Sequence, residues 1–397
     1  LAGQIANEFD QGLSRRAAIY LPYQGAVPDA YVVDPDHCLY LVEGSCQPGP
    51  PCVTACPEDA VDFTQSWQTT EVKAGAIIVA TGYDPFDAAL KPEYGFGQYP
   101  NVITGLQLER LAAPDGPTGG EIRVNGKTPE HVVFIHCVGS RDQTVGNPYC
   151  SRICCLYTAK QAALVKDKLP QARVTVLYMD VRTFIKEGEE FYDEVRRKGV
   201  LYRRANPSEI YRRGDKLIVR AEDTLLGEPV EIEADLVVLA TGLVPREGAE
   251  KIAGLLKLAR SSDGFFAEAH PKLRPVDTAS DGVFLAGACQ GPKDIADTVA
   301  QAKAAASSAL IPLSLGRVKV EATVSEVDPE ICSGCGLCEA NCAYGALQMH
   351  PWKRVMTVNP VLCKGCGACA TACPSGAIIL HHFTHDQTLA MIEALVA

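Results

Sequence analysis

The chain has 397 residues, a net charge of −11, and 47% hydrophobic against 21% charged residues. That length allows about two or three domains with a large buried core. The acidic balance argues against a nucleic-acid partner, since phosphate binding asks for a basic surface. No apolar run reaches the ~18 residues of a membrane span, and the polar opening LAGQIANEFDQG lacks the basic start and apolar run of a signal peptide. The start at Leu1 rather than Met points to a fragment, a processed product or a piece of something longer.

Seventeen cysteines set the class. A long chain with ample core and tightly clustered cysteines favours metal ligation in a reducing, cytoplasmic compartment over a secreted disulfide scaffold. Sixteen of them form four groups of four: Cys38, Cys46, Cys52, Cys56; Cys137, Cys150, Cys154, Cys155; Cys332, Cys335, Cys338, Cys342; and Cys363, Cys366, Cys369, Cys373. Cys289 is left over.

In chain order, residues 1 to 30 show no strong periodicity, contain Pro22 and Pro28, and read as a leading segment wrapped on the next domain. Residues 31 to 66 begin with YVVDPDHC and end with CVTACPEDAVDF, a short strand into a first cysteine and a Cys-Pro followed by a second short strand, as in a bacterial-ferredoxin module. Its spacing is stretched to seven, five and three residues between cysteines, with Pro48, Gly49, Pro50 and Pro51 in the enlarged loop. A cluster or a degenerate module that has lost one are both open, and the four retained thiols favour the cluster. Residues 67 to 115 hold EVKAGAIIVATGYDPF, an expected near-continuous strand over 71 to 86 ending in Ala80, Thr81 and Gly82. The phrase recurs as EADLVVLATGLVPR, and two such phrases imply two nested dinucleotide-binding domains of the flavin-dependent disulfide-reductase type.

Residues 116 to 265 form the second of these. A strand at 132 to 135, a turn and a helix with Leu156, Ala159, Ala163 and Leu164 on one side give the crossover order of a nucleotide fold. Such a turn normally carries GxGxxG to bring backbone close to a pyrophosphate. Cys137, Cys150, Cys154 and Cys155 stand there instead, so the turn is expected to hold a metal centre, and NAD(P)H is not expected as direct donor. A helix near 189 to 198 and a hairpin around Gly214 and Asp215 follow. In 266 to 315, GVFLAGACQGPKDIADTVAQAKAAASSAL supplies a strand, a turn at Gly287, Ala288 and Gly291, and a long helix from near Asp294 and Ile295, a helix N-terminus suited to a flavin; a purely structural turn is the alternative. Residues 316 to 385 carry CxxCxxCxxxC twice, the most specific signal in the chain. In two-cluster ferredoxins the fourth cysteine serves the other cluster, which pairs Cys332, Cys335 and Cys338 with Cys373, and Cys363, Cys366 and Cys369 with Cys342. Ala343 stands where proline often follows the fourth cysteine, and Pro374 keeps the pattern. His381, His382 and His385 read as a solvated tail, and 386 to 397 as an amphipathic docking helix. The fold class is therefore α/β: two nested dinucleotide-binding domains with ferredoxin-like α+β modules inserted and appended.

No Ser/His/Asp triad or GKS phosphate loop is present. Iron–sulfur centres move single electrons whereas a flavin takes two and releases them singly, so the combination reads as a splitter or combiner of electron pairs. The stretches IHCVGSRD with NPYCSRICC, NVITGLQLERL with GPTGG, AEDTLLGE, EAHPKLRPV and FLAGACQGPKDI together resemble the HdrA family, the A subunits of heterodisulfide reductase, over nearly the whole chain. The resemblance implies a cytoplasmic subunit with FAD and four [4Fe-4S] clusters that performs flavin-based electron bifurcation. It implies as partners a hydrogenase- or formate dehydrogenase-linked electron-input subunit, ferredoxin, and disulfide-reducing B- and C-like subunits. It also implies a cluster on Cys137, Cys150, Cys154 and Cys155, and flavin-proximal roles for Glu109 and Lys160; a surface helix lysine is the other reading of Lys160. The chain departs from the family in lacking GxGxxG, in its stretched Cys46 to Cys52 loop, and in having Ala288 and Cys289 where flavin relatives place an acidic residue. A non-bifurcating electron-wiring and assembly subunit of a bacterial oxidoreductase complex is the alternative function.

Overall fold

The computed structural model describes residues 5 to 46, 49 to 317 and 322 to 396. Pro48, named above in the enlarged loop, lies outside them. The chain divides into two units, Leu1–Val72 with Pro85–Leu243, and Lys73–Asp84 with Val244–Ala397.

The first unit is built on a seven-stranded sheet. Its elements in chain order are β1 (Val102–Thr104), α1 (Gly105–Ala112), β2 (His131–Val138), α2 (Cys154–Lys168), β3 (Arg173–Tyr178), α3 (Gly188–Arg197), β4 (Val200–Arg213), β5 (Lys216–Asp223), β6 (Glu228–Ala234) and β7 (Leu236–Thr241). The strand order is β6-β5-β4-β3-β2-β7-β1. Pairings from β4 across to β1 are parallel, and β5 and β6 extend the sheet as an antiparallel meander. Central parallel strands are covered on both faces and so need continuous apolar runs. Val132, Val133, Phe134 and Ile135 of β2 and Leu236 to Ala240 of β7 are accordingly fully buried. The second ATG phrase thus follows the meander and enters the sheet as β7. β1, within residues 67 to 115, pairs with β7 in this same sheet.

Against β2, α2 packs Ala159, Ala162, Ala163 and Val165. Leu156 and Leu164, expected on the buried side, are only partly covered. Small side chains let the helix axis approach the sheet, which leaves the larger leucines at the margin. The leading segment is tied to α1, where Arg110 Nε donates to Asp10 Oδ1 at 3.0 Å and Gln107 Nε2 to Gln11 O at 3.0 Å.

Asp235, just before β7, pins the lower end of the sheet. It accepts from the backbone N–H groups of Glu130 and His131 and from Lys216 Nζ at 2.5 Å, and its own carbonyl accepts from Asn101 Nδ2. Burial pushes its carboxyl up, but the Lys216 bond and the two amides outweigh that and hold it below the usual carboxylate range. A depressed pKa stabilises the fold above the unfolded value of about 3.9 and loses that contribution as pH falls through the folded value. Asp235→Asn should therefore cost about 1 kcal/mol at neutral pH, solvent screening included. Urea titrations should show the gap to wild type closing as pH falls from 5 to 3; a gap independent of pH would remove the charge from the explanation.

The stretch 71 to 86, expected as one strand, is two short ones, Ile77–Val79, parallel to Val283–Leu285 in a two-stranded sheet of the second unit, and Tyr83–Pro85. Residues 71 to 76 are assigned to no strand, and Gly82 at φ +76° lies between the two strands. Nor do the residues after Cys56 form the expected second ferredoxin strand: among the described residues none is assigned between Ala55 and Ile77. The long helix Ile295–Leu315 packs Ala305 and Ala309 beside Val276, Phe284 and Ala286. The same unit carries two short antiparallel pairs, Ser325–Val327 with Ile378–Leu380 and Leu347–Met349 with Met356–Val358, around Cys338, Leu347, Met356, Cys369 and Ile378. No helix among the described residues is long and apolar enough to cross a membrane.

Candidate iron–sulfur and flavin sites

The tandem motifs fold into two cavities. One is lined by Cys332, Cys335, Cys338 and Cys373; the other by Cys342, Cys363, Cys366 and Cys369. Each gathers three cysteines of one motif and the fourth of the other, the crossed set read from the sequence. Backbone amides already point at these sulfurs: Met356 N–H at Cys332 (3.5 Å), Ser325 N–H at Cys363 (3.4 Å) and Ala346 N–H at Cys342 (3.3 Å). Amides so placed stabilise thiolate charge, so this donor set fits an iron–sulfur cluster. His381 Nε2 is 3.1 Å from Glu326, an exposed ion pair.

In the first unit, β2 delivers Cys137 at its carboxyl end, and α2 opens on Cys154 and Cys155. Burial pushes the Cys137 thiol up to about 12, with Cys155 and Cys150 adding to the shift. Cys154 is raised by burial and by charge on Cys137, Cys155 and Cys150, so the four thiols share one low-dielectric neighbourhood. A buried thiolate is costly alone and stable against a cationic iron core, which is the chemistry this donor set fits. No three His, Cys, Asp or Glu groups among the described residues close on a single ion. Thiolates at the corners of a cluster stand farther apart than ligands to one ion.

Several residues around this loop were missed by sequence reasoning. Cys137 (φ +59°), Arg141 (φ +57°) and Arg152 (φ +61°) all hold the left-handed conformation that non-glycine residues avoid, a concentration typical of functional loops. Ser140 and Ser151, buried, bind each other at 3.0 Å, and Ser151 Oγ accepts from Leu243 N at 2.9 Å, which ties the cysteine loop to the end of β7. His136 Nδ1 is 3.9 Å from Cys155 Sγ, its Nε2 is buried without a hydrogen-bond partner, and burial holds the imidazole down at about 4. The His-Cys pair in the sequence was the one available signal. Asp180 takes Arg141 Nη1 at 2.6 Å and Arg182 Nε at 3.2 Å beside the same cysteines.

Glu109 and Lys160 meet. Lys160 Nζ is 2.5 Å from Glu109 Oε2, while Gln161 Nε2 donates to Glu109 Oε1 at 3.0 Å and to Gly105 O at 3.0 Å. α1 and α2 thus present a charge pair that is half exposed on the lysine side.

Cys38 caps the helix Leu39–Glu43, Cys52 lies in the helix Pro51–Ala55, and Cys56 follows it. Cys38 is buried; Cys46, Cys52 and Cys56 are half-buried.

The flavin candidates lie in the second unit. Ala80, Thr81 and Gly82 follow the strand Ile77–Val79; Gly287, Ala288 and Gly291 follow Val283–Leu285; Asp294 and Ile295 begin the long helix. Thr81 Oγ1 is buried with no partner, and a Cβ at Gly82 or Gly291 would meet open space. An orphaned hydroxyl beside such a cleft fits a polar ligand edge. The helix N-terminus differs from expectation: the Asp294 carboxylate accepts from Asp297 N–H at 2.8 Å and so occupies part of the anion site itself. Gly287 N–H is taken by Gln301 Oε1 at 2.8 Å. Cys289, the leftover thiol, is buried and donates to Val79 O at 3.1 Å.

A family model described as Pyridine nucleotide-disulphide oxidoreductase matches residues 52–309, and one described as 4Fe-4S dicluster domain matches 331–377. The chain is 48% identical over 350 residues to the A subunit of the H(2):CoB-CoM heterodisulfide,ferredoxin reductase of Methanothermobacter thermautotrophicus, covering 87% of this chain and 52% of that one. It is 51% identical over 351 residues to the iron-sulfur A subunit of the CoB--CoM heterodisulfide reductase of Methanocaldococcus jannaschii, again 87% and 52%. With the corresponding iron-sulfur A subunit numbered 1 of Methanopyrus kandleri the identity is 50% over 407 residues, covering 99% and 60%. The chain spans about half the length of the relatives it matches. It belongs to the pyridine nucleotide-disulphide oxidoreductase family, with a 4Fe-4S dicluster domain appended, and is a homologue of HdrA, the A subunit of heterodisulfide reductase.

Proposed function

We propose that the chain is the electron-distributing part of an iron–sulfur flavoprotein subunit in a heterodisulfide reductase-type complex, working in the cytoplasm by flavin-based electron bifurcation. The observation that carries this is the pair of crossed four-cysteine cavities joined by sequence to a flavin-type domain. Bound FAD would supply the conversion of a two-electron input into single-electron outputs. Ala80, Thr81, Gly82, Gly287, Ala288, Gly291, Asp294 and Ile295 hold its near edge in this reading. The Lys160 ammonium, with Glu109 as counter-ion, places positive charge where reduced flavin is anionic. Four [4Fe-4S] clusters, on the Cys38, Cys137, Cys332 and Cys363 groups, carry single electrons. Two pairs from a hydrogenase- or formate dehydrogenase-type donor then divide: two electrons go to ferredoxin, and two, with two protons, open one disulfide to two thiols on B- and C-like partners. Relatives named for hydrogen or formate support donors of those classes.

The second reading is a non-bifurcating wiring and assembly subunit, whose clusters carry single electrons between partners without splitting pairs. Redox titration of the flavin in the assembled complex separates the two. Bifurcation requires crossed one-electron potentials, the second electron leaving at a lower potential than the first; two ordinary, uncrossed potentials would establish the wiring role.

A further inference from the structure

The two cysteine motifs repeat at an offset of 31 positions, from 332 to 363 and from 342 to 373, and the same offset takes Ser325 to Met356. The fold keeps the equivalence: Ser325 and Met356 each open a strand, and each gives its backbone N–H to the first cysteine of one cavity. Their side chains break it. Ser325 is 5% exposed, lines the cavity of Cys342, Cys363, Cys366 and Cys369, and places Oγ 3.1 Å from Cys369 Sγ and 3.9 Å from Cys363 Sγ. Met356, 3% exposed, lines the other cavity and has no proton to give. That cavity has hydroxyls only on exposed Ser333 and Ser375 at its rim, where Ser375 Oγ lies 3.5 Å from Cys373 Sγ.

We propose that Ser325 is a positioning residue that sets the potential of one cluster of the pair: its hydroxyl donates to Cys369 Sγ and makes the cluster on Cys342, Cys363, Cys366 and Cys369 easier to reduce. This rests on the reading that the tandem cysteines hold two clusters. An added electron increases negative charge on the sulfurs, so a donor bonded to one of them stabilises the reduced cluster more than the oxidised one. The Ser325 hydroxyl is buried, so bulk water is poorly placed to replace the bond once it is gone. Water already solvates the Ser375 side, which makes its hydroxyl the weaker of the two. The wire is thereby polarised: electrons settle on the Ser325 side of the pair.

The test is a redox titration of the full-length, cluster-loaded chain followed by EPR, with iron counted on the same samples. Ser325→Ala should keep its iron, while one tandem cluster becomes harder to reduce by roughly tenfold in equilibrium, about 59 mV for one electron. The other tandem cluster should titrate unchanged. Ser325→Thr, which keeps the hydroxyl, should restore the wild-type value. An unshifted Ser325→Ala, a shift that Thr does not rescue, or loss of iron in Ser325→Ala would each overturn the proposal. The underlying cluster reading fails separately, if Cys366→Ser keeps all its iron.

Discussion

Cys154→Ser should remove about four iron atoms per chain while leaving the tandem-cluster EPR signal in place. Cys154 is the first residue of α2 and 2% exposed, so its sulfur reaches the cysteine group from a rigid element rather than a loop tip. A serine oxygen is a hard donor that suits an iron–sulfur core less well than a thiolate, and the three remaining thiols are left in their low-dielectric neighbourhood without an iron core to offset their charge. The fold itself should survive, because the Ser140, Ser151 and Leu243 bonds that hold the loop to β7 do not involve Cys154. Cys289→Ser is the matched control. That thiol is equally buried, but the acceptors in its reach are the carbonyls of Val79 and Ala286, and a hydroxyl can give its one proton to either. Iron content should fall in the first variant and hold in the second; equal iron in both would end the assignment of Cys154 as a ligand.

The crossover and the tandem motifs were legible because both are short-range patterns. An unbroken apolar run such as VVFI marks a strand covered on both faces, and CxxCxxCxxxC fixes which sulfurs a tight loop can bring together. The Glu109–Lys160 contact spans 51 residues and has no local signature. Only resemblance to relatives pointed to it. The extent of the strand at 71 to 86 was misread for a related reason: apolar residues permit a strand, but a neighbour must complete it, and only the short pieces Ile77–Val79 and Tyr83–Pro85 find one.

The frame around Cys137 was illegible for a physical reason. Ser140 and Ser151 are ordinary loop residues in the sequence, and their burial at 1% and 0% exposure follows from β7 arriving beside them. Likewise the positive φ of Cys137 is imposed by the turn, since nothing in a cysteine prefers it. The asymmetry between Ser325 and Met356 was present in the letters, yet it gains meaning only once each side chain is seen to line a different cavity.

Two glycines of the tandem domain look alike in sequence and should behave very differently. Gly334 and Gly336 both lie in the loop CSGCGLC, at φ +65° and +78°. A Cβ on Gly336 meets nothing within 4 Å, so Gly336→Ala bears only the left-handed backbone cost of about 1–2 kcal/mol. A Cβ on Gly334 would run into the carbonyl oxygen of Arg354, a backbone atom that no rotamer change can move. Gly365, its counterpart 31 positions on, abuts the carbonyl of Thr323 in the same way. Gly334→Ala should therefore add an overpacking cost of about 1–3 kcal/mol to the backbone term. The strain falls between Cys332 and Cys335, so it should appear as faster iron loss to a chelator as well as earlier thermal unfolding. Equal chelation rates for Gly334→Ala and Gly336→Ala would mean that the loop yields at Arg354, and that the approach of the two backbones is not what fixes the cysteine geometry.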